Sequence, residues 1–241
     1  MKILAIDSSA VTASVAVADD SLLNAEFFLN TGLTHSRTLM SMIESVLNTA
    51  DLRLSDIDLF AVTNGPGSFT GVRIGVSSVM GMAEALDKPC IGVSTLLSMA
   101  YNLQSFCGII CSVMDARCNQ VYTALFESDG TSIKRITDDD AMSLDDLGEK
   151  LSLIKRPIYF VGDGAVLCYN RFKDTLSDIH LPSENIRFQR ASSLAKAVFD
   201  NKLYDDALTP EKLTVSYLRL SQAERERKAK LEVKGNDGTC V

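Results

Sequence analysis

Tryptophan is absent from the sequence, histidine occurs twice and proline five times in 241 residues. His35 and His180 are far apart and neither belongs to a His-Glu-x-x-His pair, so no histidine-based metal centre is indicated. Cys90, Cys107, Cys111, Cys118, Cys168 and Cys240 form no Cys-x-x-Cys pair. Several sit in apolar segments, where reduced cysteine behaves as a small hydrophobe, which argues against both zinc and a disulfide framework. The P-loop pattern Gly-x-x-x-x-Gly-Lys-Ser/Thr, the dinucleotide pattern Gly-x-Gly-x-x-Gly and the nucleophile elbow Gly-x-Ser-x-Gly are all missing. Long apolar runs are missing too. Ile3-Leu4-Ala5-Ile6 is cut off by Asp7, too short for a signal peptide or a membrane span, so the chain is expected in the cytoplasm without membrane contact. Positive charge is in deficit: the formal net charge of -7 opposes independent binding to a polyphosphate, and any contact with RNA would need a basic partner.

What is present is the composition of a folded α/β chain, with 46% hydrophobic and 23% charged residues. Residues 2–7, 14–18 and 22–29 read as a strand meander. Leu39, Met40, Ile43, Val46 and Leu47 then recur at helical spacing behind Thr34, a candidate N-cap, which predicts a first helix over 35–49. Leu59–Val62 reads as a buried strand, 64–68 as a loop, 70–86 as a helix and 90–93 as a strand, and Ser94 caps a helix to about residue 104. The second half repeats the opening, with strands at 109–114, 120–127 and 132–136. A helix behind Ser143, a strand at 158–161, the turn Gly162-Asp163-Gly164 and helices at 165–176 and 193–203 follow. Two such units predict a duplicated ribonuclease H-like fold. The expected division is a first lobe over 1–105, a second over 106–218 and a basic terminal helix or tail over 219–241.

Two segments could carry phosphate chemistry. Asp7 ends an apolar strand and is followed by Ser8-Ser9, a place for a hydrated Mg²⁺; a strand-end turn former is the alternative. The turn around Gly67-Ser68 opens a helix whose backbone N–H groups could face an anion; tight turning with close helix packing is the alternative. Beyond it, Gly71, Gly75, Ser78, Met82 and Ala85 lie within about one quarter of the helix circumference, a stripe that lets another backbone come close. With Leu39, Met40 and Ile43 on the first helix this makes a candidate partner interface, against the alternative of two helices packing within one lobe.

Ile3-Leu4-Ala5-Ile6-Asp7-Ser8-Ser9 and Gly65-Pro66-Gly67-Ser68-Phe69-Thr70-Gly71-Val72-Arg73-Ile74-Gly75 resemble the TsaB (YeaZ) family, over residues 1 to about 104, and Tyr217-Leu218-Arg219 is similar to that family's late Pro-x-Tyr-Leu-Arg signature. Val215 stands where the signature has proline. The resemblance implies an α/β fold of the actin-like ATPase (ASKHA) class with two ribonuclease H-like lobes. It also implies a role in making threonylcarbamoyladenosine beside the anticodon of tRNAs that read codons beginning with A. There the paralogue TsaD transfers the threonylcarbamoyl group, and TsaE is an ATPase that engages the pair. TsaD carries a His-x-x-x-His metal pair after the strand matching 90–93; the matching positions are Thr95 and Met99, neither of which replaces imidazole.

The expectation is therefore a non-catalytic subunit with no metal and no tightly bound cofactor, ATP or ADP with Mg being confined to a partner interface. TsaD is the main implied partner and TsaE the second, with a homodimer when the chain is alone and tRNA reached only through the complex. The other readings are an ATP-dependent phosphotransferase using Asp7 and the Gly67 turn, and a metallopeptidase-like protein.

Overall fold

The computed structural model describes residues 1–20 and 22–219, so the expected basic terminal helix beyond Arg219 lies outside the described residues. The first half builds a sheet from β1 (Lys2–Asp7), β2 (Ala13–Asp19), β3 (Leu22–Leu29), β4 (Leu59–Gly65) and β5 (Cys90–Ser94), with α1 (His35–Thr49), α2 (Phe69–Leu86) and α3 (Thr95–Ala100) between and after them. The second half gives β6 (Cys107–Asp115), β7 (Gln120–Asp129), β8 (Ile133–Arg135), β9 (Asp140–Ser143), α4 (Leu144–Ser152), β10 (Ile158–Val161), α5 (Ala165–Phe172), β11 (Ile179–His180) and α6 (Ala191–Asp200). The sheet orders are β3-β2-β1-β4-β5 and β11-β10-β6-β7-β8, with β9 on β7. Read from the meander side they are the same order, so the repeat seen in the sequence is a repeat of topology.

The central strands have no polar face because both faces are covered. Leu4, Ile6, Val15, Val17, Phe60 and Val62 point into a core under α1 and α2. Their neighbours Ile3, Ala5, Ala16, Ala18, Leu59 and Ala61 point to the opposite face, where Leu194, Ala195 and Val198 of α6 cover them. The alanines on that face let α6 lie close to the sheet. In the second half, Leu144, Leu147 and Leu151 of α4 with Ala165, Cys168 and Phe172 of α5 cover one face, and Leu96, Met99 and Leu103 cover the other.

The covering helices are therefore exchanged between halves. α3 belongs by sequence to the first half but packs under the second sheet, and α6 returns to the first. Residues 191–213 thus do not close a second lobe over 106–218: α6, the Leu208–Cys90 bridge and Leu213 all sit on the first sheet. Thr34 occupies the N-cap position of α1 without a side-chain bond, whereas Ser94 and Ser143 cap as expected, accepting from the Leu97 and Asp146 backbone N–H groups at 3.1 Å each. β9 and β11 are too short to leave a periodic signal and were not expected.

Candidate functional site

The parallel strands β1, β4 and β5 end on the side of the first sheet that faces the second half, the position where open α/β sheets bind ligands. Asp7 closes β1 there and is fully buried. Its Oδ1 accepts from the Ser9 backbone N–H at 2.9 Å and the Ser9 hydroxyl at 2.7 Å. Burial pushes the Asp7 carboxyl above the ordinary aspartate range, because the hydrogen bonds from Ser9 only partly offset the loss of water. Thr63 Oγ1 approaches the Asp7 carboxyl and helps to stabilise its charged form, but neither it nor Asp7 Oδ2, both buried, makes a well-formed hydrogen bond among the described residues.

The two segments expected to hold phosphate do meet, and they satisfy one another. Ser68 N–H donates to the Ser9 carbonyl at 2.7 Å, Ser8 Oγ donates to the Gly71 carbonyl at 2.9 Å, and Gly71 N–H donates to Ser68 Oγ at 3.2 Å. Ser8 and Ser9 are buried with Asp7. Two of the backbone donors that could face an anion, those of Ser68 and Gly71, are thus engaged in locking the β1–β2 turn to the start of α2. This geometry fits the tight-packing alternative.

Gly71 and Gly75 are where that lock needs glycine. A Cβ at Gly71 would collide with the Ser8 carbonyl oxygen, and one at Gly75 with Ser8 Oγ. The backbone that approaches the small-residue stripe is therefore the chain's own β1–β2 turn. Met82, Leu39 and Ile43 are buried in the same core, while Ser78 is half-buried and donates to the Ile74 carbonyl at 2.8 Å. Of the eight residues expected at a partner interface, Met40 (54% exposed) and Ala85 are exposed, and the others are buried or half-buried. The exposed face of α2 is rotated from the expected one and carries Arg73, Ser77, Gly81 and Ala85.

Across the gap, Asp163 from the turn after β10 faces the same strand ends. Its Oδ1 accepts from Gln189 Nε2 at 3.3 Å, and Gln189 Oε1 accepts from Thr12 Oγ1 of the β1–β2 turn at 3.5 Å. Burial, reinforced by the charges of Asp115 and Asp7, pushes the Asp163 carboxyl up to about 6. A second tie joins Ser94 to Asp139 at 2.5 Å, with Asp139 held by Arg135 at 2.6 Å. Between these ties the gap is filled: Thr95 and Met99 are fully buried, and Met99 packs against Gly162, where a Cβ would press on its sulfur. Asp163, Gln189, Asp139 and Thr12 were not singled out from the sequence. Only the Gly162-Asp163-Gly164 turn marked any of them, and it carried no signal of what it would face. Among the described residues, no three His, Cys, Asp or Glu side chains group as metal ligands do. No helix there is long and apolar enough to cross a membrane.

The chain is similar over residues 30–227 to the family model for TsaD, tRNA N6-adenosine threonylcarbamoyltransferase. It is 34% identical over 226 residues, 93% of this chain and 96% of the other, to the tRNA threonylcarbamoyladenosine biosynthesis protein TsaB of Bacillus subtilis. To the protein of the same name from Escherichia coli it is 39% identical over 135 residues, 55% of this chain and 58% of that one. Among solved structures, an uncharacterized Pseudomonas aeruginosa protein described as similar to peptidase YEAZ superposes with a TM-score of 0.77 at 22% identity, covering 90% of this chain and 99% of that one. The Acidaminococcus fermentans (R)-2-hydroxyglutaryl-CoA dehydratase component A gives 0.51 at 11% identity, covering 83% and 98%. The fold is thus the expected actin-like one.

Proposed function

The chain belongs to the TsaB family of tRNA threonylcarbamoyladenosine biosynthesis proteins, and from that premise we propose that it is a non-catalytic subunit in that biosynthesis, paired with a TsaD-type transferase and engaged by TsaE. The observation that carries the non-catalytic part is the filled gap between the sheets. Thr95 and Met99 stand at the positions matched to the transferase's histidine pair, both without access to solvent. Neither a buried thioether nor a neutral hydroxyl replaces an imidazole as a ligand to a transition metal held by nitrogen and oxygen donors. The phosphotransferase reading is weakened at the Gly67 turn, where the Ser68 and Gly71 backbone N–H groups are already engaged within the chain. The metallopeptidase reading finds no group of metal-ligating side chains among the described residues.

The partner surface follows from what α1 and α2 leave exposed: Met40 on α1, and Ser77, Gly81 and Ala85 at four-residue spacing on α2. Small side chains on one helix beside a protruding methionine on the other suit close helix-on-helix packing against a partner. The test reconstitutes threonylcarbamoyl transfer to tRNA from purified components with and without this chain, and titrates binding to TsaD. Transfer should require the chain, and Met40→Glu should weaken the complex by about 2 kcal/mol, as for a residue near an interface centre, with the melting temperature unchanged. Transfer that proceeds equally well without the chain would reject the proposal.

A further inference from the structure

The late motif Tyr217-Leu218-Arg219 has no part in the reading above, and its contacts give it one. After α6 the chain turns back across the first sheet, where Leu213 is buried and Val215 half-buried in the core under α1 and α2. It then crosses the end of β4. Ser216 N–H donates to the Asn64 carbonyl at 2.8 Å, and Asn64 Nδ2 donates to the Thr214 carbonyl at 3.0 Å. Gly65 lies directly beneath, at φ 125°, and a Cβ there would collide with the Ser216 carbonyl oxygen. Tyr217 next stacks on Phe69 in the first turn of α2, ring centroids 5.1 Å apart, and its hydroxyl accepts from Arg73 Nε at 2.6 Å. The Arg73 guanidinium in turn lies 3.7 Å above the Phe69 ring. Arg219 finally donates through Nη1 to the Ala116 carbonyl at 3.2 Å, in the hairpin between β6 and β7 of the other half.

We propose that residues 213–219 form a strap whose Tyr217 and Arg219 are positioning residues, fixing the Gly-rich turn and first turn of α2 against the β6–β7 hairpin. The turn needs such help because glycines make it intrinsically loose. The strap supplies two backbone-directed hydrogen bonds, a ring stack and a tie to the second sheet. Tyr217 is 46% exposed and Arg73 is also exposed, so the stack orders one patch of surface without carrying the stability of the whole fold. That patch is continuous with the exposed face of α2, since Arg73 starts the row that runs on through Ser77 and Gly81. The link to partner binding rests on the reading above; the ordering of the turn does not.

The experiment measures amide hydrogen exchange, melting temperature and affinity for TsaD on the full chain carrying Tyr217→Ala, Tyr217→Phe or Arg219→Ala. Tyr217→Ala should speed exchange at residues 67–73 and weaken the complex, each about tenfold, with melting lowered by only a few degrees. Tyr217→Phe keeps the stack and should restore both to within about threefold of the wild type. Arg219→Ala should speed exchange at 116–120 as well. Unchanged exchange at 67–73 in Tyr217→Ala would overturn the strap, as would a large fall in melting temperature with unchanged affinity per folded molecule. Should Tyr217→Ala fail to fold, Tyr217→Phe and Arg219→Ala decide by the same readouts. A wild-type chain that does not bind TsaD would remove the partner reading, and the exchange data would still decide the strap.

Discussion

Asp7 and Asp163 are carboxyls of opposite halves brought to one place, and each is held above its ordinary range chiefly by loss of water. For Asp163 the consequence has a definite sign. An aspartate near 3.9 when unfolded and near 6 when folded keeps its proton longer in the folded state, so folding is penalised once the solution pH exceeds the unfolded value. The penalty grows between about pH 4 and pH 6 and is fully present at neutrality. Asp163→Asn, which still accepts from Gln189, should therefore raise stability at pH 7 by about 1 to 2 kcal/mol, and the gain should vanish toward pH 4. Paired thermal melts of variant and wild type across that window check it. At this scale the sequence showed Asp7, because an aspartate ending an apolar strand breaks the pattern. It did not show the role of Asp163, because an aspartate between two glycines reads as a turn wherever the turn happens to point.

The most informative element is α6, which has no cap of its own. Arg190 sits at its N-cap without a side-chain bond, and the first amides are satisfied from the first sheet. Ser14 Oγ accepts from Ala191 N–H at 3.1 Å, and Glu26 Oε1 accepts from Ser192 N–H at 3.1 Å and its hydroxyl at 2.8 Å. Glu26 Oε2 pairs with Arg190 at 3.0 Å in a largely shielded setting. A carboxylate at a helix N-terminus also complements the helix dipole. Glu26→Ala should cost about 1 to 3 kcal/mol by leaving these donors without an acceptor, and Glu26→Gln less, as measured by urea titration. Helix existence was readable from periodicity, as α1 and α2 demonstrate. The outward face of α2 was not: small residues at four-residue spacing occur on both of its sides, Gly71 and Gly75 inward, Ser77, Gly81 and Ala85 outward. Only contact with Ser8 separates them.

At the scale of the whole molecule, the exchange of α3 and α6 between sheets makes the two halves one folding unit. Met99, fully buried, packs with Ile110, Met114 and Val161 of the second sheet and fills the space beside Gly162. Met99→Ala should lower stability by about 2 to 5 kcal/mol, the usual range for emptying a core site of this size. Because both sheets depend on the layer containing Met99, unfolding should stay a single transition at reduced midpoint. Coincident fluorescence-free probes such as circular dichroism and exchange of β1 and β6 amides would check this, and two separated transitions would contradict it.

The order of strands and helices, the duplication and the family are properties of the chain itself, since period-2 and period-3.6 patterning, turn residues and the Gly65–Gly75 motif act over a few neighbours at a time. Which helix covers which sheet, which face of α2 stays exposed, and the meeting of Asp7 with Asp163 and of Tyr217 with Arg73 are decided by tertiary structure. Each depends on a contact between residues distant in the chain, and local patterning is the same whichever partner arrives.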